Sequence, residues 1–306
     1  MTGRKTQNSE PPIVWRSLLY VPGNNEKFIA KAHTRGADAI ILDLEDSVPE
    51  HARQTARDML ADAVTSVSQS GADPVVRINR PLRHMVKDVE AAVQAGARAL
   101  FVTKVDGAGH LKLVAELVEE VERETGRPHG SVKLAAMVET ADAYFRAHAV
   151  ARATGRLIGL NLGGEDFAMD VGMVPDTDTL LVPKQTVMIA AKAAGLMAMG
   201  FIGTVADYTD TEGFRAAVRK SRKFGFDCAS VIHPSGIPIL NEEFTPGEDE
   251  IDHARRVIEA YDAARLAGRG AITVDGKMID VPVVIRAERL VARYEEIRAK
   301  DALKAG

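Results

Sequence analysis

From Trp15 onward, short runs rich in Val, Ile and Leu alternate with longer stretches whose apolar residues recur at three and four. The short runs predict eight strands, at 17–21, 39–44, 75–79, 99–105, 132–138, 157–162, 200–205 and 228–232. Between them the helical period predicts helices that include 26–35, 86–95, 108–123, 142–154, 184–194 and 211–223. The strands are apolar without alternation, as parallel strands must be when helices cover both faces. Eight such β–α units predict a (β/α)8 TIM barrel rather than an open doubly wound sheet, and no Gly-rich dinucleotide fingerprint follows the first strand.

The polar stretch 1–12 ends in a Pro pair and reads as a disordered lead-in, so the catalytic barrel is expected over 13–246. After Pro246 the pattern changes to a helix over about 248–267, a turn at Gly268 and Gly270, and a short apolar strand. The Asp275-Gly276 turn and a last helix over about 282–299 complete it. Residues 247–306 are therefore expected to form a C-terminal helical appendage.

Composition narrows the function. The 306 residues carry 39 basic and 43 acidic side chains, a net charge of -4, which is not the profile of a nucleic-acid-binding chain. No apolar run approaches the ~18 residues of a membrane helix. The single cysteine, Cys228, has no partner for an internal disulfide, and no cleavable apolar segment opens the chain, so the expected compartment is the cytoplasm.

A barrel gathers its chemistry where strands end, and those positions are polar here. In strand order they are Asn24-Asn25, Asp43 with Glu45-Asp46, Arg77-Ile78-Asn79, Lys104, Glu139-Thr140, Gly163-Gly164-Glu165-Asp166, Asp207 and His233-Pro234. Singly, an Asp or Asn there is a helix cap and a Lys or Arg an ion-pair partner. Together they place several carboxylates beside one Arg and one Lys. Glu139 and Asp166 end consecutive strands, and two carboxylates that close call for a cation or a proton; an all-oxygen pair suits Mg²⁺. The rival, a carboxylate pair for glycoside hydrolysis, fits poorly with 5% aromatic residues. Gly163-Gly164 lets backbone or ligand come close to the metal. Arg77 reads either as a fixed positive group beside the metal or as a buried partner for Asp43 or Glu45. A divalent cation with a guanidinium suits chemistry that develops an enolate or alkoxide. The helix after Asn24-Asn25 carries Lys27, Lys31, His33 and Arg35, a basic face that can hold phosphate.

With these residues in place, the chain resembles the citrate lyase β-subunit and malyl-CoA lyase family of the HpcH/HpaI aldolase superfamily. The segments that carry the resemblance include RSLLYVPGNNEKFIAKA at 16–32, DAIILDLEDSVPE at 38–50, VRIN at 76–79, Glu139-Thr140, LGGEDFAMDVGM at 162–173, IHPSGI at 232–237 and DGKMIDVP at 275–282. The resemblance implies that Glu139 and Asp166 bind Mg²⁺, with Glu165 beside them on the substrate, and that Arg77 holds the oxo acid and the developing enolate. It further implies acyl-CoA contacts at Tyr20, Lys31, Ile232 and His233, and catalytic parts for Glu45 and for Asp280, the latter reaching a neighbouring subunit of a homo-oligomer, a trimer or hexamer. The chain departs from the family pattern at Thr103, where Pro is usual, and at Gly236, where Gln or Lys is usual. Asn25 stands where some malyl-CoA lyases carry a basic residue.

The implied activity is Mg²⁺-dependent cleavage or formation of a 3-hydroxyacyl-CoA such as malyl-CoA or citramalyl-CoA, with acetyl-CoA and a 2-oxo acid as partners. The alternatives are a citrate lyase β-subunit working on a citryl carrier-protein thioester, a malyl-CoA thioesterase, and a noncatalytic acyl-CoA-binding protein.

Overall fold

Eight parallel strands form the sheet that organises the chain, in the order β7-β6-β5-β4-β3-β2-β1-β8. The computed structural model describes residues 13–203, 210–268 and 270–305. The expected lead-in and the strand-seven positions Thr204, Val205 and Asp207 lie outside the described residues. The strands are β1 (Ser17–Pro22), β2 (Ala39–Asp43), β3 (Asp73–Ile78), β4 (Ala99–Val102), β5 (Lys133–Val138), β6 (Leu157–Leu162), β7 (Met197–Met199) and β8 (Ala229–Val231). β1 pairs with both β2 and β8, and a bridge from Met199 to Cys228 brings the β7 end to β8, so the ring closes. The result is the (β/α)8 barrel that the pattern predicts.

The helices between the strands begin with α1 (Glu26–Ala32), α2 (Arg53–Asp58), α3 (Leu60–Val67), α4 (Leu82–Ala95) and α5 (Ala108–Glu124). They continue with α6 (Ala141–Phe145), α7 (Ala147–Val150), α8 (Gly164–Val171), α9 (Leu181–Ala193), α10 (Thr211–Phe224) and α11 (Gly236–Glu243). Every residue of β2 and β4 is buried, because barrel interior covers one face of each strand and helices cover the other. Full burial of each large aliphatic side chain here, such as Ile40, Leu42 and Leu100, stabilises the fold by roughly 1.5–3 kcal/mol.

Buried ion pairs fix the strand starts and the outer helices. Arg16 grips Asp38 with Nε–Oδ2 at 2.8 Å and Nη2–Oδ1 at 2.9 Å, tying β1 to the entry of β2. Arg156 grips Glu122 with Nη1–Oε1 at 3.0 Å and Nη2–Oε2 at 2.7 Å, tying α5 to the entry of β6.

Two boundaries differ from the sequence reading. The seventh strand is Met197–Met199, not 200–205: Gly200 and Gly203 take positive φ of 111° and 142° and turn the chain out of the sheet, although Phe201 and Ile202 remain buried. The expected helix over 142–154 is two short ones, α6 and α7, broken at Arg146.

Contact clustering separates two compact units. Arg16–Phe244 and the chain from 304 form one, and residues 13–15 with 245–303 form the other. The second unit contains α12 (Glu248–Leu266), an antiparallel pair β9 (Ile272–Val274) and β10 (Lys277–Ile279), and α13 (Val281–Ala305). Asp275 and Gly276, at φ 48° and 74°, form the tight turn of that hairpin. Its small core gathers Ala254, Val257, Tyr261, Ile279 and Val284.

Candidate active site

The C-terminal ends of the strands open onto a cavity of about 560 Å³. Its wall takes Tyr20 from β1, Asp43 from β2, Arg77 from β3, Glu139 after β5, Glu165 and Asp166 from α8, and Lys184 from α9. Sequence positions far apart thus meet at one mouth because every strand of a parallel barrel ends at the same face.

Arg77 is the most constrained of them. Its Nε and Nη2 donate to the two oxygens of Asp43 at 2.6 Å each, and its Nη1 lies 3.0 Å from Glu45 and 3.4 Å from Asp46. The Tyr20 ring sits 5.0 Å from the guanidinium carbon, so the cation rests on an aromatic face. Burial works against both charges, but each outweighs it for the other: the Asp43 carboxyl is held below the ordinary range and the guanidinium is held above its own. Ser47 Oγ, 2.5 Å from Asp43, completes the carboxylate's shell. Arg77 is therefore both the partner of Asp43 and a wall of the cavity, so the two readings of its sequence position describe one residue.

Glu139 is the opposite case. It is 2% exposed, and among the described residues it makes no ion pair. The main-chain N–H of Lys104 donates to one of its oxygens, an aim made possible by the left-handed backbone of Lys104, φ 48°. Burial, with Asp166 and Glu45 adding to it against that N–H, pushes the Glu139 carboxyl up to about 8. A desolvated carboxyl beside a second carboxylate, with no cationic side chain bound to it, is a donor set short of positive charge. A hard divalent cation fits it.

Gly163 and Gly164 make that placement possible. A Cβ on Gly163 would stand 2.6 Å from Glu139 Cγ and 2.8 Å from its Oε1, and one on Gly164 would stand 3.6 Å from Lys184 Nζ. The paired glycines, read from the sequence as allowing close approach, admit the Glu139 side chain itself.

Other expected residues fall differently. Glu45 does not line the cavity; it lies behind the wall, bonded to Lys104 Nζ and beside Arg77, and burial raises its carboxyl against those two cations. Ile232 lines the mouth and is half exposed. Lys31 is exposed on the last turn of α1, and His233 is exposed with Nδ1 2.7 Å from Ser235 Oγ; neither lines the cavity. Asn25 caps α1, its Oδ1 accepting from Phe28 N at 3.2 Å. Asp280 belongs to the second unit and stands at the N-terminus of α13, its Oδ1 3.4 Å from Val283 N and its carbonyl accepting from Val283 and Val284. Cys228 is buried, in keeping with an inert core thiol.

The sequence reading did not single out Lys184. Its signal was present: Leu180, Lys184, Val187 and Ala191 follow the helical period on the buried face, and one of the four is charged.

Comparison with known proteins agrees with this geometry. Residues 16–234 match the HpcH/HpaI aldolase/citrate lyase family. The chain is 35% identical over 279 residues to the citrate lyase subunit beta of Leuconostoc mesenteroides subsp. cremoris, covering 90% of this chain and 92% of that one. It is 34% identical over 288 residues to a (3S)-malyl-CoA thioesterase of Cereibacter sphaeroides, covering 93% and 96%. Among solved structures it resembles the CitE protein of Mycobacterium tuberculosis in complex with magnesium, acetoacetate and coenzyme A, with a TM-score of 0.73, 28% identity, and coverage of 91% and 97%.

Proposed function

The chain belongs to the HpcH/HpaI aldolase/citrate lyase family, and we propose that it is a Mg²⁺-dependent carbon–carbon lyase that cleaves, or forms, a 3-hydroxyacyl-CoA such as malyl-CoA or citramalyl-CoA. The observation that carries this reading is the buried Glu139 carboxylate beside Asp166, with Arg77 on the same cavity. Glu139 and Asp166 would hold the metal, which when bound supplies a Lewis acid to the carboxylate and hydroxyl oxygens of the substrate.

The chain's own residues do the rest. In cleavage the 3-hydroxyl loses its proton, the C2–C3 bond breaks, and its electron pair goes to the acetyl thioester as an enolate. Arg77 faces the cavity with its charge held by Asp43 and Tyr20, and its place is against that enolate oxygen, where a pre-aimed cation stabilises charge as it develops. Glu45 and Lys104 are positioning residues: Glu45 braces Arg77 from behind, and the Lys104 N–H orients Glu139. Asp280, supplied by a neighbouring copy, would give the proton to the enolate carbon and take it back in condensation. Tyr20 and Ile232 border the path of the acyl chain, while Lys31 and His233 lie outside the cavity, where they would meet only the distal part of CoA.

A second reading is favoured by the 35% identity to a citrate lyase subunit beta: the same site would act on a citryl thioester and release oxaloacetate. The likeness to a malyl-CoA thioesterase predicts another outcome again, malate and CoA with no carbon–carbon cleavage. Incubating the protein and Mg²⁺ with malyl-CoA, citramalyl-CoA and citryl-CoA, and identifying the products, decides among them. A 2-oxo acid with acetyl-CoA supports the lyase, and malate with free CoA overturns it. Glu139→Gln should abolish the reaction and Mg²⁺ binding together; Mg²⁺ affinity unchanged by calorimetry would remove Glu139 from the metal site.

A further inference from the structure

The cavity contains a buried cation that this mechanism does not use. Lys184 is 7% exposed, in the first turns of α9 on the face that packs inward. Its ammonium donates to the carbonyls of Phe201 at 2.7 Å and Gly203 at 2.5 Å and lies 5.2 Å from the Phe201 ring centroid. Two neutral carbonyls satisfy two of three N–H groups and leave the charge uncancelled. Among the described residues no carboxylate lies within ion-pair distance of it. A charge removed from water this far costs several kcal/mol unless something compensates it, and a site with a use for the charge is one reason to keep it.

Three placements narrow that use. Lys184 lines the same cavity as Glu139, Asp166 and Arg77. Gly163 abuts the Glu139 carboxylate and the next residue, Gly164, abuts the Lys184 ammonium, so the two side chains meet successive positions of one turn. The other two cations are already claimed: Arg77 by Asp43, and Lys104 by Glu45 and Asp46. An anionic group entering the cavity and not held by the metal therefore finds its counterion at Lys184.

Resting on the lyase reading above, we propose that Lys184 is a specificity-determining residue, whose ammonium binds a second, distal carboxylate on the 2-oxo acid part of the substrate. The preferred oxo acid is then a dicarboxylate of the oxaloacetate type. Glyoxylate and pyruvate, with hydrogen or methyl at that position, leave the ammonium unpaired. Burial lowers the Lys184 ammonium to about 8, Glu165 opposing this, so at pH 7 the group is charged and gains from an anion that enters with its own desolvation shared.

Calorimetric titration at pH 7 with Mg²⁺ present tests this without turnover. The probes are oxaloacetate, its 4-methyl ester and pyruvate. The unaltered protein should bind oxaloacetate at least tenfold more tightly than either of the others, and Lys184→Met should bring the oxaloacetate-to-pyruvate ratio below threefold. Equal binding of oxaloacetate and its ester overturns the proposal on the unaltered protein alone, so a variant that fails to fold does not decide the matter. A ratio kept in Lys184→Met, with both ligands weakened alike, also overturns it and leaves Lys184 as a brace for the 201–203 segment. Pyruvate and oxaloacetate that both bind only with Mg²⁺, at equal strength, refute Lys184 and spare the lyase reading. No Mg²⁺-dependent binding of any probe refutes both.

Discussion

Gly163→Ala adds one methyl group where the metal site has no room for it. Gly163 has φ −72° and ψ 98°, a conformation open to alanine, so the backbone is not strained by the change. The new Cβ would stand 2.6 Å from Glu139 Cγ and 3.0 Å from Cδ, whereas ordinary contact needs at least 3.4 Å. The carboxylate must then withdraw by about 1 Å, several times the ~0.2 Å tolerance of a metal–ligand bond. A misplacement of that size in a catalytic constellation costs about 100-fold, or about 2.7 kcal/mol of transition-state stabilisation. The expected result is a Mg²⁺ affinity at least tenfold weaker by calorimetry and turnover down about 100-fold, with the thermal midpoint shifted by only a few degrees. Mg²⁺ affinity and turnover both unchanged would mean that Glu139 is not a ligand, or that its side chain is free to swing aside.

Arg77→Lys keeps one charge but loses the two parallel bonds to Asp43, so turnover should fall far more than substrate affinity; a loss in KM alone would make Arg77 a binding group only. Arg156→Met leaves Glu122 buried without its ion-pair partner and should cost about 3 kcal/mol in denaturant unfolding, the lower end of the usual range because Val132 N and Gly130 N still donate to the carboxylate. Burial raises the carboxyls of Asp38 and Glu122, but Arg16 and Arg156 more than offset it, so both are depressed in the fold. Their stabilisation is complete above the ordinary values of 3.8 and 4.5 and should drain away as pH falls below them, which denaturant midpoints between pH 6 and 2 would show. Mixing inactive Arg77→Ala and Asp280→Ala subunits should restore part of the activity if Asp280 serves a neighbouring copy. If it only caps α13, Asp280→Ala should cost about 0.5–2 kcal/mol in stability and keep turnover.

The barrel was legible because its signal is repeated: each buried strand is an apolar run, and each run is followed by a helical period. The seventh strand was misplaced for a local reason. From Met197 to Val205 the chain is almost wholly apolar, so burial is readable but the exit from the sheet is not. That exit depends on the positive φ of Gly200 and Gly203. In the site, the polar strand ends identified Arg77, Glu139 and Asp166 as facing one mouth, since topology alone sends strand ends there. Sequence could not say that Arg77 is gripped by Asp43, that Glu45 stands behind the wall, or that His233 and Lys31 miss the cavity. Those outcomes turn on side-chain direction, which a strand's period fixes only to one face or the other. Lys184 escaped notice because a lysine on a helix is read as solvated until the apolar residues on its own face are counted.

The left-handed turn at Lys104 has a consequence for how the protein can change. A non-glycine residue at φ 48° is held against its preference, at a cost of order 1–3 kcal/mol. Glycine there would relieve the strain and leave the N–H free to point at Glu139, but it would lose the ammonium that joins Glu45 and Asp46. Any other side chain would keep the strain without the ammonium. Selection for a more stable protein and selection for a working site therefore pull this position in opposite directions, and thermostabilised variants of the chain should leave Lys104 untouched wherever activity was also selected.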